Sequence, residues 1–379
     1  MKIFHIITGL DVGGAELLLE RLIKGDRQKD YDHIVISLTS IGKVGQKIKK
    51  SGVVTKQLSL RNIFDLPRGL IMLVREIKKE KPDLIQTWLY HSDLIGGLAA
   101  KIAGYNNIIW NIRCTDIIFG VGASYSAYIA MKICALLSRY IPKKIIVVAN
   151  KAKDSHIRQG YDSSKLKVIQ NGFEVEKYTI DNKIRMKTRE ELISVDHNSL
   201  VIGSVGGFQE YKDHATFIAA SEFIAKRNNN VIFVLVGNNL DKKNKDLNHM
   251  IKARNLSEKF RLLGEREDIP NILSALDLFC LHSRSEGFPN VLGEAMSAAL
   301  PCVITNVGDA AELLGQSPYV VEPRSPKSLA NSIQKVLDLK IEERIEVGEK
   351  LRTRIAKKYS MESIIFQYKE VYQSIVKGI

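Results

Sequence analysis

Glu286 and Glu294, with seven residues between them in Glu286-Gly-Phe-Pro-Asn-Val-Leu-Gly-Glu294, imply the narrowest chemistry in the chain. They follow an apolar run, Asp277-Leu-Phe-Cys-Leu281, turn through Gly287 and Pro289, and lead into the helix-forming Gly293-Glu-Ala-Met-Ser-Ala-Ala299. A strand, a tight loop and a helix N-terminus are expected. The unpaired N–H groups of a first helical turn, with the positive end of its dipole, favour a diphosphate there. Glu294, further along the helix, can accept hydrogen bonds from vicinal ribose hydroxyls. Glu286, in the loop, can hold hydroxyls of the group that the diphosphate carries. That combination suits a sugar nucleotide. Acidic residues at helix starts are also common on solvated surfaces, where they only complement the dipole.

Two further loops carry residues suited to the same ligand. Thr8-Gly-Leu-Asp-Val-Gly-Gly-Ala-Glu16 places Gly13 and Gly14 directly before an amphipathic helix, and paired glycines let backbone approach a ligand closely or simply make a tight turn. The pattern is not Gly-x-Gly-x-x-Gly, and the second strand candidate closes on Ser37-Leu-Thr-Ser with no acidic residue, which argues against dinucleotide binding. No Walker loop is present. Val205-Gly-Gly-Phe-Gln-Glu-Tyr-Lys212 leads into a helix, and Lys212 at its top can meet a phosphate as a point charge or lie solvated. His91, in Trp88-Leu-Tyr-His91-Ser-Asp93, is a candidate for the cleft or a cap of its own helix. Asp30-Tyr-Asp32 matches the Asp-x-Asp pattern of metal-dependent sugar transferases, yet it leads into a strand instead of leaving one. It reads as a loop, with no metal required.

The elements that must position these loops follow from periodicity. Apolar runs of four to eight residues alternate with longer amphipathic stretches, the pattern of parallel strands joined by crossover helices. Strands are predicted at 2–7, 33–38, 53–58, 83–87, 108–112 and 144–148, and again at 200–205, 231–236, 260–263, 278–281 and 302–305. Between the two series lie the turn signal Asn171-Gly172 and a polar stretch, Glu174–Lys187, and the hinge is expected near residues 172–185. Two doubly wound α/β domains are expected, with ligands gathering at the carboxyl ends of their strands in the cleft between them. Ser360 is a plausible N-cap for a last helix.

The chain has 379 residues, enough for two domains with full cores, and its 45% hydrophobic and 26% charged content is that of a globular protein. No run of apolar residues is long enough for a membrane span, and Met1-Lys-Ile-Phe-His-Ile-Ile reads as a first strand, so the cytosol is expected. Cys114, Cys134, Cys280 and Cys302 lack metal-ligand spacing and read as reduced thiols. The net charge of +14 is uneven: residues 1–170 carry 27 Lys and Arg against 14 Asp and Glu, and residues 171–379 carry 29 against 28. An excess confined to the first half points to an anionic partner such as a membrane surface, or to simple solubility. Nucleic acid is disfavoured, since no zinc finger, RNP-type aromatic motif or basic heptad appears.

Gly13-Gly14-Ala-Glu16, Asn171-Gly172, Val205-Gly-Gly-Phe with Lys212, and the Glu286–Glu294 motif followed by Ala299-Leu-Pro301 and Thr305-Asn-Val-Gly308 together resemble the retaining glycosyltransferases of family 4, from end to end. The resemblance implies the GT-B fold: two Rossmann-like domains facing a cleft, an acceptor domain over 1–172, a nucleotide-sugar domain over 173–358, and a terminal helix over 359–379 crossing back to the first. It implies that Glu294 binds ribose, and that Glu286 with the backbone of Gly287, Phe288, Pro289, Asn290 and Val291 holds the donor sugar. Lys212 would sit on the diphosphate, Gly13 and Gly14 would approach the donor from across the cleft, and the segment around Arg266 would read the base. Two departures stand out. Gly207 replaces an arginine that many members place beside the pyrophosphate, and Arg113-Cys114 stand on the acceptor side where many have a histidine.

The activity implied is retaining, metal-independent transfer from a nucleotide sugar, with UDP chosen by resemblance. The acceptor expected is a saccharide or a lipid-linked saccharide at the inner membrane face, in cell-surface polysaccharide biosynthesis. The apolar stretch Ala123–Leu137 is either a core helix or part of that membrane contact. A sugar-nucleotide epimerase and a non-catalytic sugar-nucleotide-binding subunit are the competing readings.

Overall fold

The computed structural model describes residues 1–26, 30–114, 124–179, 181–194 and 198–378. Strands form where the chain can be buried on both faces of a sheet. Val231-Ile-Phe-Val-Leu-Val236, with four β-branched residues and every position buried, is the clearest case.

The first unit comprises Met1–Gly172 and the terminal segment from Met361. Its strands β1 (Lys2–Ile7), β2 (Asp32–Ser37), β3 (Val54–Gln57), β4 (Leu84–Trp88), β5 (Ile108–Ile112), β6 (Lys144–Val147) and β7 (Leu166–Val168) form a parallel sheet in the order β3-β2-β1-β4-β5-β6-β7. The second unit, Phe173–Ser360, has β8 (Leu200–Val205), β9 (Val231–Val236), β10 (Phe260–Leu262), β11 (Leu278–Leu281), β12 (Cys302–Thr305) and β13 (Val320–Val321), ordered β10-β9-β8-β11-β12-β13. Each sheet runs from its first strand to one edge and then restarts on the first strand's other side. The switch points are therefore β1/β4 and β8/β11, where loops at the carboxyl ends diverge and leave a ligand crevice.

Helix Met361–Lys377 is part of the first unit's core. Ile364, Tyr368, Val371, Tyr372 and Ile375 recur at helical spacing and bury among Ile3, Leu19, Leu84 and Trp88. Burial is worth about 1.5–3 kcal/mol for each large apolar side chain. Polar contacts fix the register: Asn111 Nδ2 donates to Tyr368 Oη at 2.9 Å, and Tyr372 Oη donates to Gln86 Oε1 at 2.5 Å. Gly172 admits the start of this helix, since a Cβ there would lie 2.9 Å from Met361 Cα.

The apolar runs mark β1 to β6 and β8 to β12 to within one residue at either end. Two strands escape them. β7 and β13 lie at sheet edges and span three and two residues, too short for a period to show. The chain divides between the two units at Gly172 and Phe173, and the polar stretch that follows is built structure. It holds a 3-10 turn, Val175–Tyr178, and a helix, Asn182–Thr188, whose first N–H groups Asp181 caps by accepting from Lys183 and Ile184 at 2.7 and 3.2 Å. Arg185 and Arg189 each reach Asp277 at 2.6 Å, which binds this stretch into the second unit.

Candidate functional site

β8 and β11 are hydrogen-bonded neighbours, so the loops at their carboxyl ends meet. After β8 the chain passes Gly206-Gly207, makes a 3-10 turn over Glu210–Lys212, and enters helix His214–Ala225, which Asp213 caps from a left-handed conformation at φ 57°. Lys212 thus belongs to the turn ahead of the helix. Its Nζ reaches Glu286 Oε1 at 2.6 Å, and Ser283 Oγ donates to the same oxygen at 2.6 Å. The two side chains are only 16% and 11% exposed, so their attraction is screened less than that of a surface pair. Lys212 lies along Gly206, its Cε 3.5 Å from where a Cβ would stand. At Gly207, a Cβ would fall 2.4 Å from Gln209 Nε2. The Gln209 amide therefore covers Gly207, a contact that no spacing in the sequence signals.

The helix after β11 spans Asn290–Ser297, starting ahead of its apolar pattern, and Pro289 at its N-cap offers no side-chain cap. Its positive end therefore faces the loop. Phe288 is buried and stacks on Phe173 with ring centroids 6.1 Å apart. Gly308 sits behind the loop at φ 51°, where a Cβ would lie 2.3 Å from the carbonyl oxygens of both Glu286 and Gly287. Only glycine fits there. Val291 and Glu294 are part-buried on the helix, Glu294 one turn beyond Asn290 on the same face. Arg266 lies in a two-pronged pair with Asp268, at 2.8 Å for each contact.

In the first unit the predicted residues fall at the carboxyl ends of β1, β4 and β5. Gly13 is the extended N-cap of helix Gly14–Gly25. The Glu16 carboxylate folds back over it, 2.3 Å from where a Gly13 Cβ would be. Burial raises the Glu16 pKa. His91 stands in the first turn of helix Tyr90–Ile102, whose N-cap is Leu89, so it does not cap that helix; its Nε2 lies 3.2 Å from Ser126 Oγ. Burial lowers its pKa, so the ring is neutral at pH 7.

Arg113, expected on the acceptor side, is held within its own unit. Its guanidinium donates to the Ile169 carbonyl at 3.1 Å, to Asn111 Oδ1 at 3.3 Å and to Asn171 Oδ1, a brace joining β5 to the end of the unit. Cys114 Sγ donates to Tyr90 Oη at 3.2 Å, and Tyr90 Oη is 2.6 Å from His156 Nε2. Asp93 is fully buried, accepts from Thr87 Oγ1 at 2.5 Å, and has its pKa pushed up to about 8 by burial. Asp30 pairs with Lys369 at 2.7 Å, and among the described residues no three His, Cys, Asp or Glu side chains converge as a metal group would.

Comparison with known proteins gives the family and the fold. The family described as Glycosyltransferase Family 4 matches residues 12–177, and that described as Glycosyl transferases group 1 matches residues 187–357. The chain is 28% identical, over 82% of its length and 80% of the relative's, to the UDP-Gal:alpha-D-GlcNAc-diphosphoundecaprenol alpha-1,3-galactosyltransferase of Escherichia coli. It is 27% identical to the capsular polysaccharide biosynthesis glycosyltransferase CapM of Staphylococcus aureus, over 99% of this chain and 98% of that one. The crystal structure of Anabaena HepE in complex with UDP superposes with a TM-score of 0.87 at 21% identity, covering 99% of this chain and 100% of that one.

Proposed function

The chain belongs to the group 1, family 4 glycosyltransferases, with the GT-B fold, and from that premise we propose that it moves a hexose or N-acetylhexosamine from a UDP-sugar, with retention of configuration, onto a saccharide or lipid-linked saccharide of a cell-surface polysaccharide. The observation that carries the donor half is the Lys212–Glu286 pair, set beside the N-terminus of helix Asn290–Ser297 at a switch point. UDP is supported by the nucleotide held in HepE and by the UDP-Gal of the E. coli relative, whose diphosphoundecaprenol acceptor supports a lipid-linked saccharide here.

When the diphosphate binds, Lys212 exchanges Glu286 for a phosphate oxygen. Glu286, still held by Ser283, turns to the sugar hydroxyls, and Glu294 takes the ribose. As the bond from sugar C1 to the phosphate oxygen breaks, its electron pair passes to the diphosphate and the sugar becomes oxocarbenium-like. Lys212 and the helix N-terminus stabilise that charge, each such contact being worth about 2.7–4 kcal/mol. The acceptor hydroxyl attacks C1 from the leaving-group face and passes its proton to the departing phosphate oxygen. Lysine and backbone supply the positive charge, so no metal is required.

The membrane half of the proposal rests on helix Tyr125–Leu137. It buries Ala130, Met131, Cys134 and Ala135, and exposes Tyr125, Ile129, Ile133 and Leu136, with Tyr140 just beyond it. One face thus packs in the core, and the exposed face is what supports the membrane reading. Lys132 and Arg139 flank the exposed apolar stripe, giving the composition of a helix that lies on an anionic membrane. No helix of the described residues is long and apolar enough to cross a membrane.

The test is transfer from a panel of UDP-sugars to a lipid-linked acceptor, followed by NMR of the product anomer. An α-linked product from an α-donor supports retention, whereas a β-linked one contradicts it. Binding of UDP without transfer or donor hydrolysis favours the silent-subunit reading.

A further inference from the structure

Lys212 and Glu286 are 74 positions apart, yet three consecutive residues leaving β11 set both of them. Ser283 Oγ holds Glu286 Oε1, and Thr305 Oγ1 in turn holds the Ser283 carbonyl at 2.7 Å. The Arg284 N–H donates to the Tyr211 carbonyl at 2.6 Å, and its guanidinium reaches Asp213 Oδ1 at 3.0 Å, the residue that caps the following helix. His282 Nδ1 lies 2.6 Å from the carbonyl oxygen of Lys212 itself.

That last contact fixes the tautomer. A carbonyl can only accept, so Nδ1 carries the proton, and Nε2 accepts from Ser204 Oγ at 2.9 Å. The ring is 2% exposed, stacked on Phe217 at 4.8 Å and edge-on to His214 at 5.0 Å, which leaves it one orientation. Burial lowers its pKa to about 4, so the neutral, Nδ1-protonated form persists at working pH. Lys212 closes a short 3-10 turn, its N–H donating to the Gln209 carbonyl at 3.0 Å, and precedes a left-handed residue, while its own carbonyl takes the His282 contact.

We propose that His282 is a positioning residue for glycosyl transfer: its Nδ1–H anchors the Lys212 carbonyl and so sets where the ammonium lies when it leaves Glu286 for the diphosphate. Ser283 keeps Glu286 in place during that exchange. The inference rests on the donor site proposed above. A histidine that merely fills the core makes different predictions, and conservative variants separate the two.

In His282→Asn the amide nitrogen stands where Nδ1 does and keeps the Lys212 bond. In His282→Gln it stands where Nε2 does and keeps only the Ser204 side. With a UDP-sugar as donor, the Asn variant should retain kcat within about threefold, while Gln and His282→Leu should lose about tenfold or more. In a Lys212→Ala background all three should add less than about twofold, because the group they position is gone. Ser204→Ala, which leaves the Lys212 bond intact, should stay within about twofold of wild type and serves if the Gln and Leu variants fold poorly. Equal losses for Asn and Gln, losses that multiply with Lys212→Ala, or a Ser204→Ala loss matching that of Leu would overturn the inference. If Lys212→Ala alone keeps full turnover, the donor site has failed instead.

Discussion

Replacing Lys212 with alanine should lower stability and turnover through two separable effects. Without donor, the substitution leaves Glu286, 11% exposed, with the hydroxyl of Ser283 in place of a cation. Orphaning a mostly buried carboxylate in this way costs about 2 kcal/mol, which for a unit of this size lowers Tm by roughly 4–8 °C. With donor, the lost contact to the leaving group removes about 2.7–4 kcal/mol from the transition state, and kcat/KM should fall roughly 10²–10³-fold. Adding Glu286→Gln separates the two, because it removes the orphaned charge without restoring the ammonium. The double variant should regain most of the lost Tm and remain as inactive as the single one. Differential scanning calorimetry and UDP release from the same preparations read both quantities. Recovery of turnover together with Tm would show that Lys212 acts only on the fold, and a single variant with wild-type turnover would refute the role altogether.

Three further predictions follow from residues elsewhere. Asp93 has a folded pKa of about 8, above the ordinary carboxyl value, so the folded state binds the extra proton and this residue makes stability fall as pH rises from about 4 to 8; Asp93→Asn should flatten that slope in urea unfolding, and parallel slopes would contradict it. Gly308→Ala forces a Cβ into the carbonyls of Glu286 and Gly287 from a left-handed backbone, and should cost about 1–3 kcal/mol and weaken UDP binding by calorimetry; unchanged binding would show that the loop is not held from behind. Leu136→Asp, at a position 75% exposed, should leave Tm unaltered and reduce salt-sensitive sedimentation with anionic vesicles severalfold; sedimentation equal to wild type would remove the membrane contact.

How much of this was legible in the sequence follows from how local each signal is. Buried parallel strands such as β9 read as unbroken apolar runs because both faces are covered, and the glycine-punctuated loops after β8 and β11 follow from chain order alone. The Glu286–Glu294 stretch declared a strand, loop and helix start because those are neighbours in sequence. Pairing across long separations was not legible. Nothing local to Lys212 says that it rests on Glu286, nor that Arg113 spends its guanidinium on Ile169 and Asn171. Nor does the polarity of the Glu174–Lys187 stretch say that it includes a capped helix whose Arg185 reaches Asp277.

The most direct test is a crystal structure with UDP bound. The diphosphate should lie within hydrogen-bond reach of Lys212 Nζ at the N-terminus of helix Asn290–Ser297, with the ribose on Glu294 and the Lys212–Glu286 pair opened. A diphosphate bound elsewhere, with that ion pair intact, would contradict the donor site and the transfer chemistry built on it.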